Sequence, residues 1–366
     1  MAEVKGFFAG RGSDYPIDAV RVSRFQEEHI LTELHSRRSS VVIGSRQSGK
    51  TTLMRKLVEE ENRRNRTRAV YVSLETYAGR QDLSEDSFWL DFSVMLFQDT
   101  LGVEIPEQVK TRPITTFYHI PAKTHLFIDE FTEVAHRVPS FFHNLRQAIE
   151  QGKCPVVVLA DRAHPTQYNE NSFREVSPFN ITGDPFYLQD LTLEESLQLL
   201  TKGFKANNLT CDDSVPKDIY AMVSGQPYLT NRLGELCVQL CNEVKKSKVT
   251  KENVEAAISL LKSTAFALQD PHFATLHSYL LNPEKDKHHG LNSSSRGKLL
   301  DILEGYPVFF QYALETGVLH TYGFIKPQSV TFMQGIAYPR GNCVIRNEVY
   351  KTFLQQHKSV LEEALK

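Results

Sequence analysis

Residues 40–51 read Ser40-Val41-Val42-Ile43-Gly44-Ser45-Arg46-Gln47-Ser48-Gly49-Lys50-Thr51. A short apolar strand is followed by a glycine, four variable residues and Gly-Lys-Thr, and a helical pattern begins at Thr51. In such a loop, here named the phosphate loop (residues 44–51), backbone N–H groups point at phosphates and the helix N-terminus adds partial positive charge. Glycines are needed because the loop adopts φ values closed to other residues. The stretch predicts a binding site for a nucleoside triphosphate, ATP with Mg²⁺.

Two side chains of the phosphate loop have individual predicted roles. Lys50 would reach the β- and γ-phosphates and stabilise their charge during catalysis, and the Thr51 hydroxyl would ligate Mg²⁺. The predicted nucleotide-binding residues of this stretch are Gly44, Ser45, Arg46, Gln47, Ser48, Gly49, Lys50, Thr51 and Thr52.

A second apolar strand ends in two acids, Leu126-Phe127-Ile128-Asp129-Glu130. Downstream of a phosphate loop, Asp129 is predicted to hold the Mg²⁺ shell and Glu130 to polarise the attacking water. An adjacent acid pair favours the ATPase class that has an extra strand between the loop strand and the acidic strand. The apolar run from Val156 to Leu159 would be that inserted strand.

Two arginines are candidates for stabilising charge at the γ-phosphate. Arg162 follows the inserted strand in Ala160-Asp161-Arg162, where a cation would lie beside the phosphate. Arg174 is the candidate for an arginine finger that acts across a subunit boundary. An arginine at the end of a strand is also compatible with an ordinary surface position.

Short apolar strands alternate with helical patterns up to about residue 190, which predicts an α/β fold with a parallel sheet covered on both faces. From Thr192 to about Leu268 the pattern is helical, and Ser224-Gly225-Gln226-Pro227-Tyr228 separates two helices. The polar stretch 282–296, which contains His288-His289 and Ser293-Ser294-Ser295, is predicted to be a loop or linker. The last 70 or so residues fit a helix–hairpin domain of winged-helix type. The predicted domains span residues 1–190, 191–280 and 281–366.

Composition is that of an ordinary soluble globular protein: of 366 residues, 41% are hydrophobic and 23% charged. The formal net charge of −2 argues against bulk polyanion binding but leaves local basic patches open. The five cysteines lack framework spacing, so we expect buried, reduced thiols, although Cys237 and Cys241 could share a helix face. No signal-peptide pattern and no membrane-length apolar run is found, which predicts a cytoplasmic protein without membrane contact.

Six elements between residues 15 and 355 carry a family resemblance. They are Tyr15-Pro16 with Arg21, Arg46-Gln47-Ser48-Gly49-Lys50-Thr51, Ile128-Asp129-Glu130, Ser177-Pro178-Phe179-Asn180, Gly225-Gln226-Pro227-Tyr228-Leu229, and Cys343-Val344-Ile345-Arg346-Asn347-Glu348-Val349-Tyr350. Together they resemble the AAA-like domains of bacterial signal-transduction ATPases with numerous domains, the STAND class. The resemblance implies an ASCE-type, AAA+-like P-loop NTPase with an α-helical lid and a winged-helix-like C-terminal domain.

The resemblance also implies a mechanism. ADP would be clamped between the α/β core, the lid near Pro227, which contacts the nucleotide in this class, and the winged-helix domain. Exchange for ATP would free surfaces for homo-oligomerisation and for recruiting a separate effector or sensor protein, in a bacterial defence or mobile-element system. Slow hydrolysis through Glu130 would reset the switch. Two departures are the short flanks, which leave no room for an effector domain, and Asp161-Arg162, where Ser or Thr is more usual before the basic residue.

Two alternatives stay open at this point. One is a DNA-binding AAA+ regulator or loader that assembles on nucleic acid with ATP, using basic runs at Arg37-Arg38, residues 63–68 and residues 245–251. The other is a binding subunit that does not hydrolyse ATP, against which the intact set of Lys50, Thr51, Asp129 and Glu130 argues.

Overall fold

The arrangement of the chain comes from a computed structural model. The structure describes residues 7, 22–24, 26–36, 38–64, 68–121, 123–135, 137–154, 157–161, 186–281, 293–309, 323–333 and 336–363. Arg162, Arg174, the His288-His289 pair, Tyr15-Pro16, Arg21 and Ser177-Pro178-Phe179-Asn180 lie outside these residues.

A parallel five-stranded sheet forms the first half of the molecule. Its strands are β1 (Ser40–Ile43), β2 (Arg68–Ser73), β3 (Thr124–Asp129), β4 (Val157–Asp161) and β5 (Phe186–Tyr187). The order across the sheet is β2-β3-β4-β1-β5. Strand β4 therefore lies between the loop strand and the acidic strand, which confirms the inserted strand and the predicted α/β class.

Helices cover both faces of this sheet. They are α1 (Gln26–His35), α2 (Lys50–Arg63), α3 (Glu85–Val94, continued by a π-helical turn at Met95–Thr100), α4 (Glu107–Thr111), α5 (Thr132–Ala135) and α6 (Ser140–Glu150). Neighbouring residues of β1 divide between two hydrophobic clusters: Val42 packs with α1 and α2, whereas Val41 and Ile43 join the cluster that contains α3 and α6. This burial on both faces explains why the strands read as continuous apolar runs.

Next along the chain is a helical unit (residues 193–281). Its elements are α7 (Leu193–Ala206), α8 (Val215–Val223), α9 (Pro227–Glu243), α10 (Lys251–Lys262), α11 (Thr264–Gln269), α12 (Pro271–Leu281) and the short parallel pair β6 (Thr210–Cys211) and β7 (Lys248–Val249). Capping boxes start α7 at Thr192 and α10 at Thr250.

A C-terminal unit (residues 293–363) contains α13 (Ser293–Glu304), the antiparallel hairpin of β8 (Ile325–Met333) and β9 (Ile336–Ile345), α14 (Glu348–Gln356) and α15 (Lys358–Glu363). The prediction of a loop through Ser293-Ser294-Ser295 is wrong, because α13 starts there. Serine favours helix N-termini as well as loops, so composition did not separate the two. A hairpin followed by a helix agrees with the predicted helix–hairpin composition, and the winged-helix assignment stays a prediction.

One continuous hydrophobic cluster joins the helical unit to the C-terminal unit. Phe273 of α12 packs against Tyr350 and Phe353 of α14, with ring centroids 6.1 and 5.2 Å apart. The predicted boundary at residue 280 therefore falls within a shared core, and it stays a prediction.

Two negative findings concern the described part of the chain. No helix there combines the length and apolar character needed to cross a membrane. No group of three or more His, Cys, Asp or Glu side chains there could hold a metal ion, so Cys237 and Cys241 are not half of such a group. All five cysteines are free, and burial raises the pKa of Cys237 and of Cys241.

Candidate functional site

The phosphate loop leaves β1 and turns sharply into α2. Gln47 (φ 58°) and Gly49 (φ 88°) lie in the left-handed region, and α2 begins directly after Gly49. A Cβ on Gly44 would lie 2.5 Å from Ser48 Oγ, so a larger residue there would force the Ser48 side chain to move. No side chain caps the start of α2 and no acid lies in its first turn. The helix N-terminus is thus suited to an anion, in agreement with the predicted phosphate site.

Lys50 lies over the loop that it follows. Its Nζ donates to the carbonyl oxygens of Gly44 and Ser45 at 3.0 and 3.2 Å, and the side chain is buried. These bonds hold the ammonium group within the ring of loop backbone groups. The position fits the predicted role of Lys50 toward bound phosphates.

Thr51 and Asp129 meet where the predicted Mg²⁺ site should be. Thr51 Oγ1 donates to Asp129 Oδ2 at 2.6 Å, and Tyr71 OH on β2 donates to the same oxygen at 2.9 Å. Burial, together with the charge of Glu130, raises the pKa of Asp129, while Lys50 and the two hydroxyl donors oppose that shift. A hydroxyl and a carboxylate in direct contact are the donor set that Mg²⁺ takes in a phosphate-loop site, so the residues fit the metal.

Glu130 has an unusual backbone conformation. Its φ is 55°, a left-handed value that is rare for residues other than glycine. Its N–H donates to Ala160 O at 3.0 Å and to Asp129 Oδ1 at 3.1 Å, so β4 and the preceding acid hold this conformation in place. Such backbone outliers are found most often at functional sites.

The end of β4 places a buried acid beside the site. Asp161 Oδ2 accepts the Thr132 N–H at 2.6 Å, and its carbonyl oxygen accepts the Gly44 N–H at 3.0 Å. Asp161 therefore ties the start of the phosphate loop to the segment after Glu130. Sequence reasoning had emphasised Arg162 at this strand end, and the role proposed for Arg162 stays a prediction.

Arg24, before α1, is a site residue that sequence reasoning missed. Its Nη1 donates to Ser48 O at 2.8 Å, and its Nη2 donates to the carbonyl oxygen of Gln189. Burial lowers the pKa of Arg24, and the charges of Glu195 and Asp190 oppose that shift. One guanidinium thus joins the phosphate loop to the segment between β5 and α7.

The helical unit reaches the phosphate loop through the turn before α9. Gln226 Nε2 donates to Gln47 O at 3.4 Å, while Gln226 Oε1 accepts the Leu229 N–H at 2.6 Å and caps α9. Gly225 has φ 74°, and a Cβ there would lie 1.9 Å from Leu191 O, so the turn requires glycine. Pro227 is the first residue of α9, next to the loop contact, and its role toward the nucleotide stays a prediction.

The C-terminal unit also reaches the loop, through Arg346 between β9 and α14. Arg346 Nη1 donates to Ser45 Oγ at 2.7 Å, and Nε donates to both carboxylate oxygens of Asp190, at 3.0 and 2.9 Å. Burial opposes the charged form, but the charge and hydrogen bonds of Asp190 outweigh it and raise the pKa of Arg346. Arg346 belongs to the C-terminal element of the family resemblance, which assigned it no role.

A buried polar chain links α9 to α14 behind this contact. Tyr228 OH and Arg232 Nε donate to Asp270 at 2.6 and 2.9 Å. The His272 N–H donates to Asp270 Oδ1 at 3.1 Å, and His272 Nε2 lies 2.8 Å from Tyr350 OH.

Some buried polar atoms have no hydrogen-bond partner within the described residues. They include His272 Nδ1 and, at the phosphate loop, Gln47 Oε1 and Ser48 Oγ. Unsatisfied polar atoms at a loop of this kind fit a polar ligand.

His272 predicts a pH dependence of stability. Burial, with the charges of Arg46 and Arg346, lowers the pKa of His272 to about 3. Between pH 6.5 and 3 the unfolded chain therefore binds a proton at this position that the folded chain does not, so the free energy of unfolding falls as pH falls. We expect wild type to lose about 1–2 kcal/mol more stability than His272→Gln between pH 6.5 and 5, measured by denaturant unfolding. If wild type and His272→Gln lost equal stability between pH 6.5 and 5, His272 would not be the group that takes up the proton on unfolding.

Tyr71 gives a prediction about the metal site. Because Tyr71 OH orients the Asp129 oxygen, Tyr71→Phe should weaken Mg²⁺ binding in the presence of ADP roughly tenfold. Titration with Mn²⁺ as a spectroscopic probe would measure this without turnover. Tyr118→Phe, which removes a hydroxyl bonded to Gln147 away from the site, is the control. Equal metal affinity in wild type and both variants would contradict a positioning role for Tyr71.

Comparisons with known proteins agree with this geometry. Residues 36–164 match a family model described as an AAA domain. The structure is similar to a Walker-type ATPase of Pyrococcus abyssi, with 13% identity, a TM-score of 0.56, and 92% of this chain and 96% of that chain covered. The α/β domain is AAA+-like. A search of curated proteins found no match.

Two further solved structures resemble this chain at a TM-score of 0.49 and 15% identity. One is the RuvB Holliday junction branch migration motor of Thermotoga maritima, with 93% of this chain and 95% of that chain covered. The other is the ORC1 protein of Aeropyrum pernix in complex with DNA, with 96% and 94% covered.

Proposed function

We propose that the protein is an ATP-binding and slowly hydrolysing switch whose nucleotide state controls self-assembly and the recruitment of a separate partner protein. The observation that supports this most directly is the contact of Arg346 with Ser45, because it brings the C-terminal unit onto the phosphate loop.

Two units converge on one loop. Gln226 of the helical unit bonds the Gln47 carbonyl, and Arg346 of the C-terminal unit bonds the Ser45 hydroxyl. Loop atoms predicted to contact phosphate are thus direct neighbours of atoms that hold the units together. A ligand that binds this loop differently in two arrangements of the units would shift the balance between them.

The pair of Arg346 and Asp190 would couple the bound phosphates to the position of the C-terminal unit. Both side chains are largely buried, so the carboxylate is the main group that compensates the guanidinium charge. A phosphate group bound at the loop would compete with Asp190 for Arg346. Diphosphate and triphosphate differ in charge and extent, so they would favour different arrangements of the C-terminal unit.

Each residue of the site then has a chemical role. Lys50 and the loop N–H groups bind phosphate oxygens, Thr51 and Asp129 would hold Mg²⁺, and Glu130 would accept a proton from water. Bound Mg²⁺ would supply charge neutralisation between the phosphates. The raised pKa of Asp129 reflects a carboxylate buried next to another acid, which a divalent cation would relieve.

The clamp leads to a prediction for Arg346→Ala. Loss of the guanidinium removes the hydrogen bonds to Ser45 and Asp190 that hold the C-terminal unit at the phosphate loop, so ADP should dissociate about ten times faster. Stopped-flow measurement with a fluorescent ADP analogue tests this. Lys351→Ala, an exposed change in α14 five residues after Arg346, should behave as wild type. Unchanged release in Arg346→Ala would contradict the clamp.

The assembly part of the proposal is tested by mass measurement in solution. The protein is measured with ADP, with a slowly hydrolysed ATP analogue, and with duplex DNA plus that analogue. A larger species with the ATP analogue alone supports a switch that self-assembles. The same mass in all three conditions, at saturating nucleotide and with candidate partners absent and present, would contradict it.

DNA loading is the other outcome of this experiment, and steep salt dependence of a DNA complex would support it. The predicted basic runs are partly neutralised by acids: Arg63 and Arg64 pair with Glu60, and Lys248 pairs with Asp212. This pairing weakens the case for an electrostatic DNA surface there. A subunit that binds but does not hydrolyse ATP would show nucleotide binding without phosphate release.

A further inference from the structure

Two glycines lie in the middle of helices where no turn needs them. Gly203 belongs to α7 and Gly234 to α9, and glycine inside a helix is less favourable than alanine. A Cβ on Gly203 would lie 2.2 Å from Phe7 Cζ, and a Cβ on Gly234 would lie 2.4 Å from Phe7 Cε1. Both glycines therefore leave space for the same phenyl ring.

Phe7 fills this space as a core residue. It is 6% exposed, belongs to the hydrophobic cluster of the helical unit, and meets the Phe204 ring edge-on with centroids 5.3 Å apart. We call Gly203, Gly234 and Phe204 the phenylalanine socket. A side chain larger than hydrogen at either glycine would overlap the ring, so the socket matches an aromatic residue in shape.

The ring comes from a distant part of the chain. The next described residues after Phe7 are residues 22–24, and Arg24 bonds the phosphate loop. Phe7 thus packs on the helical unit, whereas Arg24, 17 residues later in the chain, bonds the phosphate loop of the α/β domain. Gly234 is seven residues, or two helical turns, after Pro227 on the same face of α9.

We propose that the phenylalanine socket is a docking site for the N-terminal segment of the same chain, which binds through Phe7 and can be replaced by a free peptide of that sequence. Docking depends on shape and apolar contact at α7 and α9, and it does not rest on the proposed switch. The experiment below therefore uses no nucleotide.

The test starts from the loss of the Phe7 ring. Phe7→Ala should lower the melting temperature by roughly 5 °C or more, because a buried ring is lost, whereas Leu193→Ala, at an exposed position of α7, should change it less. A fluorescently labelled peptide of residues 1–13 should bind Phe7→Ala, and it should bind wild type at least tenfold more weakly because the socket is already filled. The same peptide with alanine in place of Phe7 should bind neither protein.

Two results would overturn the proposal. One is that the peptide fails to bind Phe7→Ala, or binds it equally well with alanine at position 7. The other is that Phe7→Ala halves the mass of the protein in solution, which would place Phe7 in the socket of a second copy. If Phe7→Ala does not fold, Phe7→Leu serves as the acceptor, since it keeps apolar contact but leaves part of the socket empty.

Discussion

Replacing Lys50 by alanine is expected to abolish measurable binding of ATP and ADP. The ammonium group is held at the phosphate loop by the carbonyl oxygens of Gly44 and Ser45, where two charge-assisted bonds to phosphate would form. At roughly 1.5–2 kcal/mol for each bond, their loss weakens affinity on the order of 100-fold or more. Isothermal titration with ATP and Mg²⁺ measures the effect directly.

The control for Lys50→Ala must separate lost charge from lost structure. Lys110→Ala removes an exposed lysine whose side chain pairs with Glu107 on the same helix. This variant should bind ATP with unchanged affinity. The melting temperature of both variants shows whether the fold persists. If a folded Lys50→Ala protein bound ATP as tightly as wild type, the assignment of the phosphate loop would be wrong.

Glu130→Gln should retain nucleotide binding and lose hydrolysis by roughly 10²–10⁴-fold. The amide keeps the size of the side chain and the left-handed backbone, but it cannot accept the proton of attacking water. Nucleotide should therefore remain as the triphosphate, which traps whatever assembly the triphosphate favours. Phosphate release and solution mass, measured on the same sample, test both statements.

Glu75→Gln is the matched control for this second variant. Glu75 is exposed and follows β2, so it lies at the same edge of the sheet as Glu130. Normal turnover in Glu130→Gln would require another base. A folded Glu130→Gln protein that stays monomeric with saturating ATP and every partner present would refute the assembly proposal while leaving the nucleotide site intact.

Local pattern was sufficient to predict the parts of the site that lie close together in sequence. The apolar strand, the glycines and the Lys50-Thr51 pair are contiguous, and Asp129-Glu130 ends an apolar run that any parallel sheet would bury. The inserted strand followed from the acid pair, and the sheet order confirms it. Period and residue type carry this information, because the pattern of each element records which of its side chains are buried.

Contacts between distant segments could not be predicted. Arg24 lies in no motif, and Arg346 lies in the closing element of the family resemblance without an assigned role. Only the fold brings these arginines to Ser48 and Ser45. Tyr71 has the pattern of an ordinary strand residue, although its hydroxyl reaches Asp129. A buried polar group gives no periodic signal, because its partner is chosen by tertiary packing and not by its neighbours in the chain.

The helical and C-terminal units share a hydrophobic core, so we expect them to move as one rigid body. Separating α12 from α14 would expose the packed rings of Phe273 and Phe353, so the two units should turn together about the segment between β5 and α7. A partner protein that binds the β8–β9 hairpin would then also affect the position of the Gln226 turn at the phosphate loop. By reciprocity of binding free energies, the partner would change the affinity for nucleotide by the same factor as the nucleotide changes the affinity for the partner.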